Sequence, residues 1–212
     1  MNPAFWRDRW SEGKIGFHEG KPNEFLSRHG TWLESCRRIL VPLCGKSEDL
    51  AYLAARGHEV VGVELVEDAV RQFFVEHAVP PEITARDGFA VYTAGSITVF
   101  AGDFFATTAA LVGDVDGIFD RAALVALPPD MRGRYIDHVR AIAPNATREL
   151  LVSLEYPAGS MEGPPFSVDQ AEVRERFAGD EITLVDEGLD PRGRADGKLL
   201  ERCYTIAFAR RG

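Results

Sequence analysis

Two apolar runs separated by a single helical period constrain this chain more than any other feature. Arg38-Ile39-Leu40-Val41-Pro42-Leu43 reads as a strand, and Glu59-Val60-Val61-Gly62-Val63-Glu64-Leu65 as a second one, apolar enough to lie in the middle of a sheet. Between them Ser47 is placed to cap a helix with apolar residues at Leu50, Ala51, Leu53 and Ala54, and Gly57 ends it. A strand, a helix and a strand joined this closely form a βαβ unit, which favours a right-handed parallel crossover.

The alternation continues. Val66, Ala69, Val70, Phe73, Phe74 and His77 fall on one helical face, stopped by Pro80-Pro81. Phe89 to Ala94, Gly95-Ser96 and Ile97 to Ala101 read as a hairpin, or as one strand entry with a two-residue turn. Asp116 to Asp120 is a buried strand, Asp130 to Ile142 a helix and Glu149 to Tyr156 a further strand. A Pro/Gly-rich loop spans Pro157 to Pro165; a helix at Asp169 to Phe177 and strands at Glu181 to Val185 and Leu199 to Ala209 follow. The expected body is a three-layer α/β sandwich closed by an antiparallel hairpin. The segment before the first strand carries Phe5, Trp6, Trp10, Ile15, Phe17, Phe25, Leu26, Trp32 and Leu33, too apolar for a free tail, so it is expected to fold back over the sheet.

Composition removes several classes of function. The 212 residues favour one domain over 1–212, with 1–36 as an N-terminal arm. The net charge of −9 without any basic run argues against a nucleic-acid partner. No stretch approaches the roughly 20 apolar residues of a membrane span, and Met1 to Trp10 lacks the apolar core of a signal peptide. The expectation is a cytoplasmic monomer acting on a small molecule. Cys36, Cys44 and Cys203 show neither disulfide nor metal spacing and read as reduced thiols, so no metal is expected.

In a doubly wound sheet the ligand lies beyond the carboxyl ends of the strands, where strand order reverses. Here that places it among the loops at Leu43 to Ser47, Glu64 to Val66, Ala101 to Phe105 and Asp120 to Ala122. The first exit holds one glycine, Gly45, and matches neither GxGxxG nor GxxxxGK[ST], so a diphosphate cradle is poorly supported. Glu64 ends the second strand 19 residues after Gly45, where an acid meets a nucleoside ribose in such folds. An adenosine ligand without phosphates fits, and S-adenosylmethionine is one. The alternative for Glu64 is an exposed strand-end carboxylate. As a strand-end carboxylate facing a cleft it is expected to add little to the core, so that Glu64→Ala weakens cofactor binding and leaves the fold intact.

A set of segments in order along the chain carries a resemblance. These are Phe5-Trp6-Arg7-Asp8-Arg9-Trp10 with Ile15-Gly16-Phe17-His18, Val41 to Ser47 (VPLCGKS), Gly57 to Leu65 (GHEVVGVEL), Gly102-Asp103-Phe104-Phe105, Asp120 to Pro128 (DRAALVALP) and Gly163-Pro164-Pro165-Phe166. Together they resemble the thiopurine S-methyltransferase family from residue 5 to 166; the stretch Asp190 to Gly197 departs from that pattern. The resemblance implies a Rossmann-like methyltransferase fold: a doubly wound, mostly parallel seven-stranded sheet with an antiparallel C-terminal hairpin and an N-terminal helical arm.

It also implies a cofactor pocket for S-adenosylmethionine, or its product S-adenosylhomocysteine, made by Trp6, Trp10, Leu43, Glu64, Asp103, Phe104 and Arg121. An aromatic face attracts a sulfonium, which suits Trp10 on a closing arm; Trp6 and Trp10, four residues apart, could equally just pack the arm down. Asp103 could accept from adenine and Phe104 pack on it, against a helix N-cap and a core ring. Arg121, costly to bury alone, could meet the cofactor carboxylate, Asp120 or an anionic substrate. Phe17 with Pro164, Pro165 and Phe166 is expected to line the substrate side as a slot for a flat ring. Arg192 or Arg194 adds a mobile cation by analogy, or is solvated loop charge. His18 reads as structural, and no His or cationic cluster in the sequence indicates a lowered pKa for Cys44.

The implied reaction is direct displacement of the methyl group by a sulfur nucleophile such as a thiopurine or another aromatic thiol, with no catalytic acid or base. Methylation of selenium or tellurium compounds, and a non-catalytic S-adenosylmethionine-binding protein, are the alternatives. A nicotinamide oxidoreductase would share the βαβ start but lacks its glycine fingerprint here.

Overall fold

The computed structural model describes residues 3–13 and 18–209. Its helices are α1 (Pro3–Ser11), α2 (Glu24–His29), α3 (Glu48–Ala55), α4 (Glu67–Glu76), the single turn α5 (Ala109–Val112), α6 (Pro129–Ile142) and α7 (Gln170–Arg176). The strands are β1 (Arg38–Pro42), β2 (Glu59–Glu64), β3 (Glu82–Arg86), β4 (Phe89–Ala94), β5 (Ile97–Ala101), β6 (Gly117–Arg121), β7 (Arg148–Glu155), β8 (Glu181–Leu189) and β9 (Leu200–Ala207). They form one sheet in the order β3-β4-β5-β2-β1-β6-β7-β9-β8. The five strands from β5 to β7 pair in parallel, and β9 returns antiparallel to both β7 and β8. Strand order reverses at β1, whose neighbours are β2 and β6, and that reversal opens a crevice at the carboxyl ends.

Side-chain alternation along the strands builds the two outer layers. Leu40, Val61, Phe100, Ile118 and Leu151 pack with Tyr135, Ile136 and Val139 of α6 and Val173 of α7 on one face. Their neighbours Ile39, Val41, Val60, Val99 and Leu150 pack on the other face with Leu50 and Leu53 of α3, Phe73 and Phe74 of α4, and Phe25 and Leu26 of α2. The arm thus contributes to the core as expected. Local chemistry sets the helix starts: Ser47 caps α3 by accepting from the Asp49 N–H, Asp169 caps α7, and Pro129 occupies the first turn of α6, where a missing N–H costs nothing.

The sheet has nine strands rather than seven. The segment around Gly95-Ser96 is a true hairpin of β4 and β5, so both are separate strands. Beyond β4 lies β3, joined by Asp87-Gly88, whose φ angles of 50° and 84° belong to the tight turn that Asp-Gly favours. Every residue of β3 is exposed, so it lacks the apolar alternation that reveals a strand.

Candidate functional site

The carboxyl ends of β1, β2, β6 and β7 and helix α1 enclose a cavity of about 230 Å³. Its floor is made where the exits of β1 and β2 lock together. The Glu64 carboxylate accepts from the Gly45 N–H (2.8 Å) with one oxygen and from the Val66 N–H (2.7 Å) with the other. Its carbonyl accepts from the Gly102 N–H, and the Cys44 N–H bonds to Val63. Glu64 is 7% exposed, and burial raises its pKa despite the hydrogen bonds from Val66 and Gly45. It is therefore no solvated strand-end acid. Gly45, Val66 and Leu65 main chain all act on this carboxylate, and of its roughly four acceptor positions capacity remains for a donor in the cavity.

Two exits carry left-handed backbone without glycine: Leu43 (φ 48°) after β1 and Ala122 (φ 63°) after β6, both lining the cavity. Such conformations cost on the order of 1 kcal/mol each and collect at functional sites. Opposite them, α1 lays Trp10 against Val66 and Ala69 with Trp6 beside it; Trp10 is 7% exposed, and both rings line the cavity.

Arg121 points its guanidinium to Glu19 of the arm (2.6 Å). Asp120 is not its partner. Consecutive strand residues face opposite sides, and Asp120 is buried beneath the sheet end, accepting from the Tyr135 hydroxyl (2.7 Å) and the Leu124 N–H. Burial raises Asp120 to about 6. Arg192 and Arg194 also reach the cavity wall, and they are far from solvated loop charge. Both clasp Asp190, Arg192 at 2.8 Å and Arg194 at 2.9 Å, and both bond Glu201. Burial works to raise Asp190, and the hydrogen bonds from Arg194 and Arg192 outweigh it and hold the acid at about 2.

Pro164 and Pro165 form the facing wall with Val125, Val152 and Leu154. The Phe166 N–H anchors this loop to the Val125 carbonyl (2.7 Å), and the Tyr156 hydroxyl to that of Pro165 (2.8 Å). Phe166 itself is not part of the lining. Its ring lies over Gly163, where a Cβ would come within 2.4 Å, so it braces the loop. Phe17 lies outside the described residues.

Two residues expected at the cofactor do not border this cavity. Phe104 is 1% exposed, packed against Tyr135, His138 and Phe105, and does not line the cavity. Asp103 is exposed and spends its carboxylate capping the next turn through the Phe105 N–H. What adjoins Glu64 there is main chain at Gly102. His18 lines a small side cavity behind Leu43 with Lys46 and Asp49; burial lowers its pKa. Burial pushes the Cys44 thiol well up, against any nucleophilic role. Among the described residues no cluster of three metal-ligating side chains occurs, and no helix is long and apolar enough to cross a membrane. Sequence reasoning missed the wall from β7 and the acids Glu19, Asp190 and Glu201, which carry no local motif.

The architecture is shared with solved methyltransferases. A 1,6-didemethyltoxoflavin-N1-methyltransferase from Burkholderia thailandensis superposes with a TM-score of 0.64 at 17% identity, over 98% of this chain and 87% of that one. An S-adenosylmethionine-dependent methyltransferase from Anabaena variabilis gives 0.66 at 14% identity, over 99% and 96%. At these identities the likeness defines a class of fold. Sequence goes further: the family described as Thiopurine S-methyltransferase matches residues 1–196. Relatives named thiopurine S-methyltransferase are 48% identical over 205 residues in Pseudomonas paraeruginosa and 50% over 204 residues in Azotobacter vinelandii, each covering 95% of this chain and 93% of the relative. The chain belongs to the thiopurine S-methyltransferase family, whose members are S-adenosylmethionine-dependent methyltransferases.

Proposed function

We propose that this enzyme methylates a sulfur nucleophile on a flat aromatic ring, a thiopurine or a similar aromatic thiol, with Trp6, Trp10, Leu43, Glu64 and Arg121 holding the cofactor. The observation that carries the reading is the pairing of a buried, backbone-anchored carboxylate, Glu64, with an acceptor wall of Val125, Val152, Leu154, Pro164 and Pro165. The donor set fits the cofactor: Glu64 has lone pairs for ribose hydroxyls, and Trp10 offers a ring to a sulfonium. When bound, S-adenosylmethionine supplies an electrophilic methyl group on a positively charged sulfur.

The chain's own residues then position and dry the reactants. The acceptor sulfur contributes the electron pair of the new S–C bond, and the pair of the broken bond stays on the departing sulfur, so no proton moves at the transferred carbon. An aromatic thiol acidic enough to ionise near neutral pH needs no general base, and neither His18 nor Cys44 borders the main cavity. The Pro164-Pro165 wall and the Trp10 side define a slot in which alignment and water exclusion supply the rate.

Calorimetry with S-adenosylmethionine followed by turnover of a thiopurine tests this. Binding together with methylthiopurine formation is the expected result. Binding with no transfer to any aromatic thiol would refute the sulfur acceptor, and absence of binding would refute the cofactor site.

A further inference from the structure

Resting on the aromatic-thiol reading, we infer that Glu19 is a specificity-determining residue that keeps the arginine-lined end of the cavity electrically balanced and so discriminates against acceptors carrying a carboxylate of their own. Four arginines line the cavity: Arg9 on α1, whose guanidinium lies over the Phe5 ring, and three that share carboxylate partners, Arg121 from β6 and Arg192 and Arg194 from the loop between β8 and β9. Among the described residues these latter three meet three carboxylates. Asp190 and Glu201 belong to the same hairpin as Arg192 and Arg194, and bond both of them at 2.8 to 3.3 Å. Arg121 feels Glu201 and Asp49 electrostatically, and its direct ion pair among the described residues is with the third acid. Glu19 comes from the arm, and one of its oxygens lies 2.6 Å from Arg121 and 3.6 Å from Arg192.

The geometry makes Glu19 the acid that joins the two cationic elements. Its side chain is mostly shielded, as is that of Arg121, so the charges are poorly screened by water. A carboxylate brought in on an acceptor ring meets guanidinium groups already neutralised, and meets repulsion from Glu19 at the same short range. With an uncharged amide in place of Glu19, Arg121 loses the acid that pairs with it directly and keeps Glu201 and Asp49 as electrostatic neighbours, and an anionic acceptor can take the vacated place. A unit charge at this distance and partial burial is worth about one power of ten in affinity.

The test uses the intact enzyme, wild type and Glu19→Gln, with two acceptors: an aromatic thiol carrying a ring carboxylate, and its uncharged carboxamide analogue. The readout is the ratio of kcat/KM for the carboxylate over the carboxamide, in which any common loss from a loosened arm cancels. The ratio is expected to rise about fivefold to fiftyfold in Glu19→Gln, mostly through KM, and to return toward wild type in Glu19→Asp. An unchanged or lower ratio, with both acceptors still turned over, overturns the inference alone. Direct binding of the pair is measured by calorimetry with S-adenosylhomocysteine present. Charge-dependent binding without turnover in wild type would reject the sulfur-acceptor reading and leave the role of Glu19 standing; absence of binding by both thiols would overturn both.

Discussion

The Gly45 N–H donates to the Glu64 carboxylate at 2.8 Å, and this one bond ties the loop after β1 to the end of β2. With the Val66 N–H on its other oxygen, Glu64 is a staple in the cavity floor as well as a ligand candidate. The sequence expectation that the fold tolerates Glu64→Ala therefore has to be revised: both amides would lose their partner in a buried place. An unsatisfied buried donor costs about 1 to 3 kcal/mol. Glu64→Ala is expected to lower apo stability by about 2 to 4 kcal/mol in urea melts, while Glu64→Asp loses less. An apo stability within 0.5 kcal/mol of wild type, on the order of ordinary surface changes, would show that the staple carries no load.

Asp120 and Tyr135 make a pH prediction. Burial raises Asp120 from 3.8 to about 6, so the folded chain holds this proton more tightly than the unfolded one. An acid of that kind stabilises the fold fully below pH 3.8, and the contribution is lost as pH rises through about 6. Asp120→Asn removes the titration and keeps an acceptor for the Tyr135 hydroxyl. Burial, and after it the Asp120 charge, raise the buried Glu149, so both acids respond to the change; stability of wild type minus that of Asp120→Asn should fall as pH rises from 4 to about 6.5. A difference that is flat or rising with pH contradicts the assignment.

Part of this architecture is written locally and was legible. The Ser47 cap, the apolar β1 and β2, the Gly95-Ser96 turn and the Asp169 cap each depend on residues within a few positions of one another. β3 was not legible because Glu82-Ile83-Thr84-Ala85-Arg86 has both faces in water and is specified by its partner strand. At the site, Trp6, Trp10, Leu43, Glu64, Arg121, Pro164 and Pro165 do meet around one cavity. Asp103 and Phe104 lie outside that lining, because a residue that ends a strand can turn toward the crevice or into the core, and sequence does not distinguish the two. The partner of Arg121 was hidden for another reason: Glu19 reaches it only through the tertiary path of the arm.

Gly62 offers a test of how closely the floor is packed. A Cβ there would lie 2.7 Å from Cys44 Sγ and 3.3 Å from a Val99 methyl. Gly62→Ala is expected to destabilise by about 1 to 3 kcal/mol, as overpacking does, and to perturb the loop that carries Leu43 and Gly45. Cys44→Ala makes room, so the double variant should recover a good part of the loss in a thermal melt. A double variant as unstable as the sum of the two singles would mean that Cys44 is not the obstacle.

The claim on which the functional account turns is that the Glu64 carboxylate receives ribose hydroxyls in this cavity. Calorimetry of S-adenosylhomocysteine and of its 2′-deoxy analogue, each against wild type and Glu64→Gln, reads that contact as a ratio within each protein, so the staple bond that the amide also loses affects both ligands alike. A hydrogen bond to a charged group is worth about 1.5 to 3 kcal/mol, so wild type should prefer the hydroxylated ligand by roughly tenfold to a hundredfold. In Glu64→Gln that preference should shrink to a few-fold. Equal preference in the two proteins would contradict the account, because the hydroxyl would then be recognised by some other group.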